Sequence, residues 1–170
     1  MRRAWVVSLL LILVACGPHD TRTDPQKFTA FRHQVAAIDR QVSAASDAYT
    51  KASRAALDRN DRAAFDRAAL SLRDRMAAIR ADAAAVEPPH FANADARDQA
   101  RQALAQLVAG IDANADAAKA DQAMRDPHHP TADELAAVLD ARNRVSNAAV
   151  GETNALFSLS ADLGVTPDAQ

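Results

Sequence analysis

The sequence is poor in the residues that build disulfides, tight turns and large aromatic sites. Its 170 residues include one cysteine and four glycines, and aromatic residues make up only 4%. A single cysteine cannot form an intramolecular disulfide. The absence of a basic block argues against a protein that binds nucleic acid. The longest apolar run has about a dozen residues, fewer than the roughly 20 that a membrane-spanning helix needs.

Alanine is what the sequence has in abundance, at 43 of the 170 residues. Alanine has the highest helix propensity and glycine is unfavourable inside helices, so this balance predicts an all-α protein. With 49% hydrophobic and 25% charged residues, the chain is globular rather than disordered. Its length suits a single domain, and its small side chains allow helices to pack closely.

The first 15 residues have the three parts of a secretion signal. Arg2 and Arg3 make a positive start, residues 4–14 are apolar, and the small Ala15 comes directly before Cys16. A short apolar segment behind a positive start predicts a signal peptide rather than a membrane anchor. Removal of Arg2 and Arg3 takes the net charge from −2 to −4, which is mild for a soluble domain.

The residues Leu13-Val14-Ala15-Cys16 resemble the lipobox of bacterial lipoproteins. The resemblance implies that residues 1–15 are removed and that the Cys16 thiol carries a diacylglycerol group. Acyl chains anchor a protein in a membrane with about 0.8 kcal/mol per buried CH₂. A glycine directly after the cysteine, as at Gly17, resembles lipoproteins of the outer membrane more than those of the inner membrane. We therefore expect a lipoprotein that faces the periplasm, with residues 16–23 as its tether and no cofactor apart from the covalent lipid on Cys16.

Four stretches after the tether repeat apolar or small residues at alternating steps of three and four, the period of helices packed at shallow angles. Asp24 before Pro25 is the predicted N-cap of the first helix. The start signals of the other three helices are Asn60-Asp61, then Asn93 or Asp95, then Thr131 with Glu134. Gly164 marks the end of the fourth helix.

Short connections make sequential helices antiparallel. The sequence therefore predicts an up-down-up-down antiparallel four-helix bundle over residues 24–164, followed by a tail at 165–170. A three-helix bundle, in which the first two helices are fused through Asn60, is the alternative.

Three polar residues interrupt the apolar seams: Asn114, Arg142 and Glu152. If the third and fourth helices fold back on each other around residue 128, Asn114 and Arg142 lie at one level, which Tyr49 approaches from the first helix. We therefore expect a polar layer of Tyr49, Asn114 and Arg142 at mid-bundle. It either fixes the register of the helices or binds a ligand. Glu152 is expected at the edge of the core with an exposed tip.

His128 and His129, between two prolines, are weak candidates for metal ligands, since imidazole binds zinc and copper. Adjacent side chains in a turn rarely converge on one ion, and no third ligand is evident nearby. We expect a solvated turn without a metal. The sequence also has no H-E-x-x-H, G-x-S-x-G or phosphate-loop motif, which favours a protein that is not an enzyme.

Two hypotheses for the function follow. The first is a non-enzymatic structural or protein-interaction module of the cell envelope, bound to the membrane by its lipid and to an envelope protein or another copy of itself. An exposed apolar stripe would favour it. The second is a periplasmic bundle that binds a small molecule or a metal. It predicts a cavity near Tyr49, Asn114 and Arg142, where the guanidinium would pair with an anionic ligand.

Overall fold

The computed structural model describes residues 21–165, which form four α-helices and no strand. The helices are α1 (Asp24–Asp58), α2 (Arg62–Ala84), α3 (Ala94–Ala123) and α4 (Ala132–Asp162). The all-α class and the four predicted helices are confirmed over this part of the chain. None of these helices has the length and apolarity needed to cross a bilayer. The predicted signal peptide, Cys16, the first part of the tether and residues 166–170 lie outside the described residues.

α1 and α2 are separate helices. At Asn60 the backbone has a φ of 51°, in the left-handed region that asparagine tolerates. The N–H of Asp61 donates to the carbonyl oxygen of Ala56 at 2.9 Å, which closes the turn. The Asp61 side chain then caps α2 by accepting from the N–H of Ala64 at 2.9 Å. The alternative of one helix running through Asn60 is therefore wrong.

The cap of α1 lies one residue earlier than predicted. Thr23 is the N-cap, and its backbone N–H donates to Oε1 of Gln26 at 3.0 Å. Asp24 is thus the first helical residue, where its negative charge interacts favourably with the helix dipole. Thr23 and Asp24 are both good caps next to Pro25, so the sequence alone did not separate them. The other predicted ends are confirmed, with Asn93 and Thr131 as N-caps and Gly164, at a φ of 62°, closing α4.

The predicted seams supply the hydrophobic core. Most of its large side chains belong to one cluster that all four helices build: Phe28, Phe31, Val35, Ile38, Leu72, Met76, Ile79, Leu104, Leu107, Ile111 and Leu159. A smaller cluster of Ala56, Phe65, Met124 and Val138 lies apart from it. Phe91, in the connection between α2 and α3, is also buried in the main cluster although no helical seam contains it.

α3 and α4 pack closely because their facing residues are small. Ala113 and Ala148 are almost fully buried, and a methyl group added at Gly110 would lie 3.5 Å from Cβ of Ala148. By contrast, α1 has its close backbone contacts with α2 and a few with α3, and almost none with α4. The bundle is therefore tight between α3 and α4 and open between α1 and α4.

Replacing Gly110 with alanine is expected to stabilise the fold. The added methyl group would be in ordinary van der Waals contact with Ala148, and alanine is favoured over glycine inside a helix by roughly 0.5–1 kcal/mol. Urea unfolding measures this gain. Gly151→Ala is the matched control, because its Cβ would lie 2.8 Å from Cδ of Gln106 and that side chain must move. A loss of stability in Gly110→Ala would contradict the described spacing of α3 and α4.

Candidate functional site

A buried carboxylate joins three helices near one end of the bundle. Asp121 of α3 is only 4% exposed. It accepts a hydrogen bond from the Tyr49 hydroxyl of α1 at 2.6 Å, and Nη2 of Arg142 on α4 lies 3.6 Å from the same oxygen. Burial raises the pKa of Tyr49, and the hydrogen bond and charge of Asp121 raise it further. Tyr49 therefore remains a protonated donor to a carboxylate that has few other ways to be satisfied.

Two members of the predicted polar layer meet at this carboxylate, and the third does not. Asn114 lies about two helical turns earlier on α3. Its Nδ2 donates to the carbonyl oxygen of Gly110 at 2.9 Å, and its Oδ1 accepts from the Ser46 hydroxyl at 3.2 Å. Tyr49 and Arg142 are thus joined by Asp121 instead of Asn114. Arg142 is 62% exposed, so its guanidinium reaches solvent.

The sequence did contain a signal for Asp121. The alternating steps of the α3 seam run from Asn114 to Ala118, and the next step of three residues reaches Asp121. An acidic residue at a seam position would have been recognised as a further polar interruption, and as the partner that a half-buried tyrosine needs.

A groove of about 440 Å³ lies between α1 and α4, with α3 as its floor. Its apolar part consists of Val42, Leu107, Gly110, Ile111, Val145 and Ala149. Its polar part consists of Asp39, Ser43, Ser46, Asp47, Gln106, Asn114, Glu152 and Thr153. The groove lies where α1 and α4 have almost no close backbone contact. We refer to it as the α1–α4 groove.

Glu152 and Asp39 form a carboxyl pair in this groove. Glu152 is 8% exposed, so the expectation of an exposed tip is wrong. Burial raises its pKa to about 8, with further contributions from the charge of Asp39 and from the hydrogen bond between the two side chains. Burial also raises the pKa of Asp39, while its hydrogen bond with Glu152 lowers it. At neutral pH the Glu152 carboxyl is therefore protonated, and its O–H donates a hydrogen bond to the Asp39 carboxylate.

Asp39 could not have been selected from the sequence alone. It stands beside the seam residue Ile38, in a helix whose outer face carries many charged side chains. Only the gap between α1 and α4, which no local pattern predicts, brings it against Glu152.

α4 has a second apolar face, which points away from the core. It consists of Leu135, Leu139, Val150 and Phe157, and Phe157 is 66% exposed. At 3.6 residues per turn these four positions fall within an arc of about 60°. We call this surface the α4 face. Arg142, three residues after Leu139 and seven after Leu135, lies about 20° outside this arc on the side of Leu135 and is the charged residue of α4 nearest to it.

The histidine turn forms as predicted. The N–H of His129 donates to the carbonyl oxygen of Asp126 at 3.1 Å, and Nδ1 of His129 lies 3.1 Å from Oδ2 of Asp126. The rings of His128 and His129 are tilted, with their centres 6.5 Å apart. No group of three or more His, Cys, Asp or Glu side chains suited to a metal ion occurs within residues 21–165.

Comparison of the chain with protein-family models, with curated proteins and with solved structures gives no match.

Proposed function

We propose that this chain is a bacterial lipoprotein anchored through Cys16, whose helices form an up-down-up-down antiparallel four-helix bundle outside the cytoplasm. The bundle acts as a non-enzymatic interaction module of the cell envelope. The observation that carries the proposal is the exposed apolar α4 face, since soluble domains seldom leave a row of large apolar side chains on one helix without a partner.

The anchor is supported by the sequence before the first helix. The lipobox resemblance ends at Cys16, and only seven residues, 17–23, separate it from α1. Seven residues reach at most about 25 Å when extended. The bundle would therefore remain close to the membrane, in the periplasm, and Gly17 favours the outer membrane.

The antiparallel topology is supported by contacts between neighbouring helices. Near the start of α2, Arg62 donates to the carbonyl oxygen of Gln122, close to the end of α3, at 2.6 Å. Near the end of α2, Arg80 donates to Asp112, in the middle of α3, at 2.8 Å. Between α3 and α4, Asp116 accepts from Arg144 at 2.8 Å, and the later Asp121 lies beside the earlier Arg142 at 3.6 Å. In both pairs of helices the contacts run in opposite order along the two partners, which is compatible with antiparallel packing.

The partner that fits the α4 face best is an apolar helix with a carboxylate opposite Arg142. Copies of this chain tethered in one membrane would stand in the same orientation, with their α4 faces at the same height. Pairing two such faces would place Arg142 at the edge of the contact in each copy, where the apolar α4 face of the other copy has no carboxylate to offer. An envelope protein that offers a carboxylate at this level supplies a further counter-ion to the exposed guanidinium.

Crosslinking in living cells tests this proposal. A photoreactive phenylalanine analogue replaces Leu139 or Phe157 on the α4 face, or Arg75 on the exposed side of α2 as the control. We expect one discrete envelope protein to be captured from positions 139 and 157 and not from 75. Adding Arg142→Gln is expected to weaken the capture severalfold, because the partner's carboxylate loses its counter-ion.

Phe157→Ser separates binding from a structural side effect, because it changes an exposed residue and should leave the free energy of unfolding within about 0.5 kcal/mol of the wild-type value. We expect this variant to lose capture from position 139. Equal capture from all three positions would contradict the α4 face as the binding surface. A crosslinked product made of two copies of the chain would show that the α4 face binds another copy in place of an envelope protein.

The α1–α4 groove favours a second candidate function, a bundle that binds a small ligand. Asn114 lines the groove, whereas Tyr49 and Arg142 do not, and its charged side chains are all carboxylic. This favours a cation over the anionic ligand expected from the sequence. A thermal-shift screen with divalent metals, small amines and small carboxylates tests it. A rise in melting temperature with amines or metals alone would support this candidate, and no rise with any compound would count against it.

A further inference from the structure

Two carboxyl groups face each other across the gap between α1 and α4. Asp39 of α1 and Glu152 of α4 both line the α1–α4 groove, and their interaction affects the pKa of each. The other cross-helix bonds of α1 in this region go to α3, from Ser46 to Asn114 and from Tyr49 to Asp121. α4 is held separately, by its close packing on α3. The α1–α4 gap can therefore change width without disturbing either attachment to α3.

The charges that face this pair are all of one sign. α1 contributes Asp39 and Asp47 to the groove, α4 contributes Glu152, and α3 contributes only uncharged polar groups, Gln106 and Asn114. No residue of α2 lines the groove, and its lining includes no Lys, Arg or His. A second negative charge on the pair would thus find no cation among the residues that line the groove.

We propose that Asp39 and Glu152 form a protonation-controlled latch, in which one shared proton holds α1 against α4 and its release to solvent widens the α1–α4 groove. In the closed state Glu152 is protonated and its O–H donates a hydrogen bond to the Asp39 carboxylate. When that proton leaves, two carboxylates face each other in a partly dehydrated gap, where their repulsion is several times stronger than in bulk water. Water entering the widened groove then solvates both charges.

The pKa of Glu152, raised to about 8, places the release in the mildly alkaline range. The apolar packing of α1 on α2 and α3 does not titrate, and Tyr49 keeps its bond to Asp121 because the pKa of Tyr49 is raised. The latch therefore opens one groove and leaves the rest of the bundle folded. The inference does not depend on the partner or the membrane.

Hydrogen–deuterium exchange of the full-length protein at pH 6 and pH 9 tests the latch. Each wild-type measurement is compared with Glu152→Gln at the same pH, which cancels the intrinsic effect of pH on exchange. Glutamine keeps a neutral donor beside Asp39 at every pH. At pH 6 we expect equal protection. At pH 9 we expect segments of α1 around residue 39 and of α4 around residue 152 to exchange about tenfold faster in the wild type, with α2 unchanged.

Two further variants keep the test decisive. Asp39→Asn removes the other member of the pair, so around residues 39 and 152 it should exchange as the wild type does at pH 6 and more slowly than the wild type at pH 9. It decides the outcome if Glu152→Gln does not fold. Asp47→Asn removes a groove carboxylate outside the pair and should exchange as the wild type does at both pH values. Equal protection of wild type and Glu152→Gln at pH 9 would overturn the latch. So would faster exchange in α2 as well, or loss of the pH effect in Asp47→Asn.

Discussion

Asp121→Ala is expected to lower the free energy of unfolding by about 2–3 kcal/mol. The substitution removes a charge-assisted hydrogen bond, a kind of bond that contributes about 1.5–3 kcal/mol, and leaves the Tyr49 hydroxyl without its 2.6 Å acceptor. It also removes a side chain of α3 that contacts both Tyr49 of α1 and Arg142 of α4. Urea unfolding at neutral pH measures the loss.

The other two members of the group provide controls for this prediction. Tyr49→Phe should cost nearly as much as Asp121→Ala, because it leaves a buried carboxylate without its nearest donor. Arg142→Ala should cost less than about 1 kcal/mol, since an ion pair with a largely exposed guanidinium contributes little. In a double-mutant cycle, Asp121 and Tyr49 should be coupled by more than about 1 kcal/mol. Additive losses would contradict the described hydrogen bond.

The stability of the wild-type protein is expected to fall as the pH rises from 6 to 9. Glu152 has a pKa of about 8 in the folded chain, above its ordinary value of 4.5. Between these two values the folded state binds more protons than the unfolded state, so the contribution of this group is greatest below pH 4.5 and is lost as the pH rises through 8. The loss approaches about 1.4 kcal/mol per pH unit while the folded state keeps its proton.

Glu152→Gln should remove most of this slope, because glutamine does not titrate. At pH 9 we expect the variant to be more stable than the wild type by about 1–3 kcal/mol, and at pH 5 we expect little difference. Urea unfolding at four pH values between 5 and 9 makes the comparison. Parallel curves for the two proteins would contradict the raised pKa of Glu152.

The helices could be predicted from the sequence because their signals are local. The alternation of three and four residues, the caps at Asn93 and Thr131, and the glycine at 164 each act within a few residues of chain. The N-cap of α1 lies one residue before the predicted position, because Thr23 and Asp24 are both residues that can cap a helix. Phe91 was missed since it lies in a connection, where no helical period indicates which side chains are buried.

The polar sites could be predicted only in part, because they depend on how far apart the helices lie. The positions of residues along the hairpin of α3 and α4 predicted the region of Arg142 correctly. Asn114, however, forms its hydrogen bond with Ser46, and the side chain beside Arg142 is the carboxylate of Asp121. The pairing of Asp39 with Glu152 requires α1 to stand away from α4 while α3 and α4 pack closely through small residues. Local sequence does not determine such unequal spacing.

The most direct test of the proposed lipoprotein is metabolic labelling with palmitate. Cells that produce the wild-type chain or Cys16→Ser are grown with labelled palmitate, and the protein is isolated and its N-terminal residue identified. We predict that the wild type carries the label and begins at Cys16, and that Cys16→Ser carries no label. Equal labelling of both proteins, or an intact chain with residues 1–15 found in the cytosol, would contradict the anchoring on which the proposed function rests.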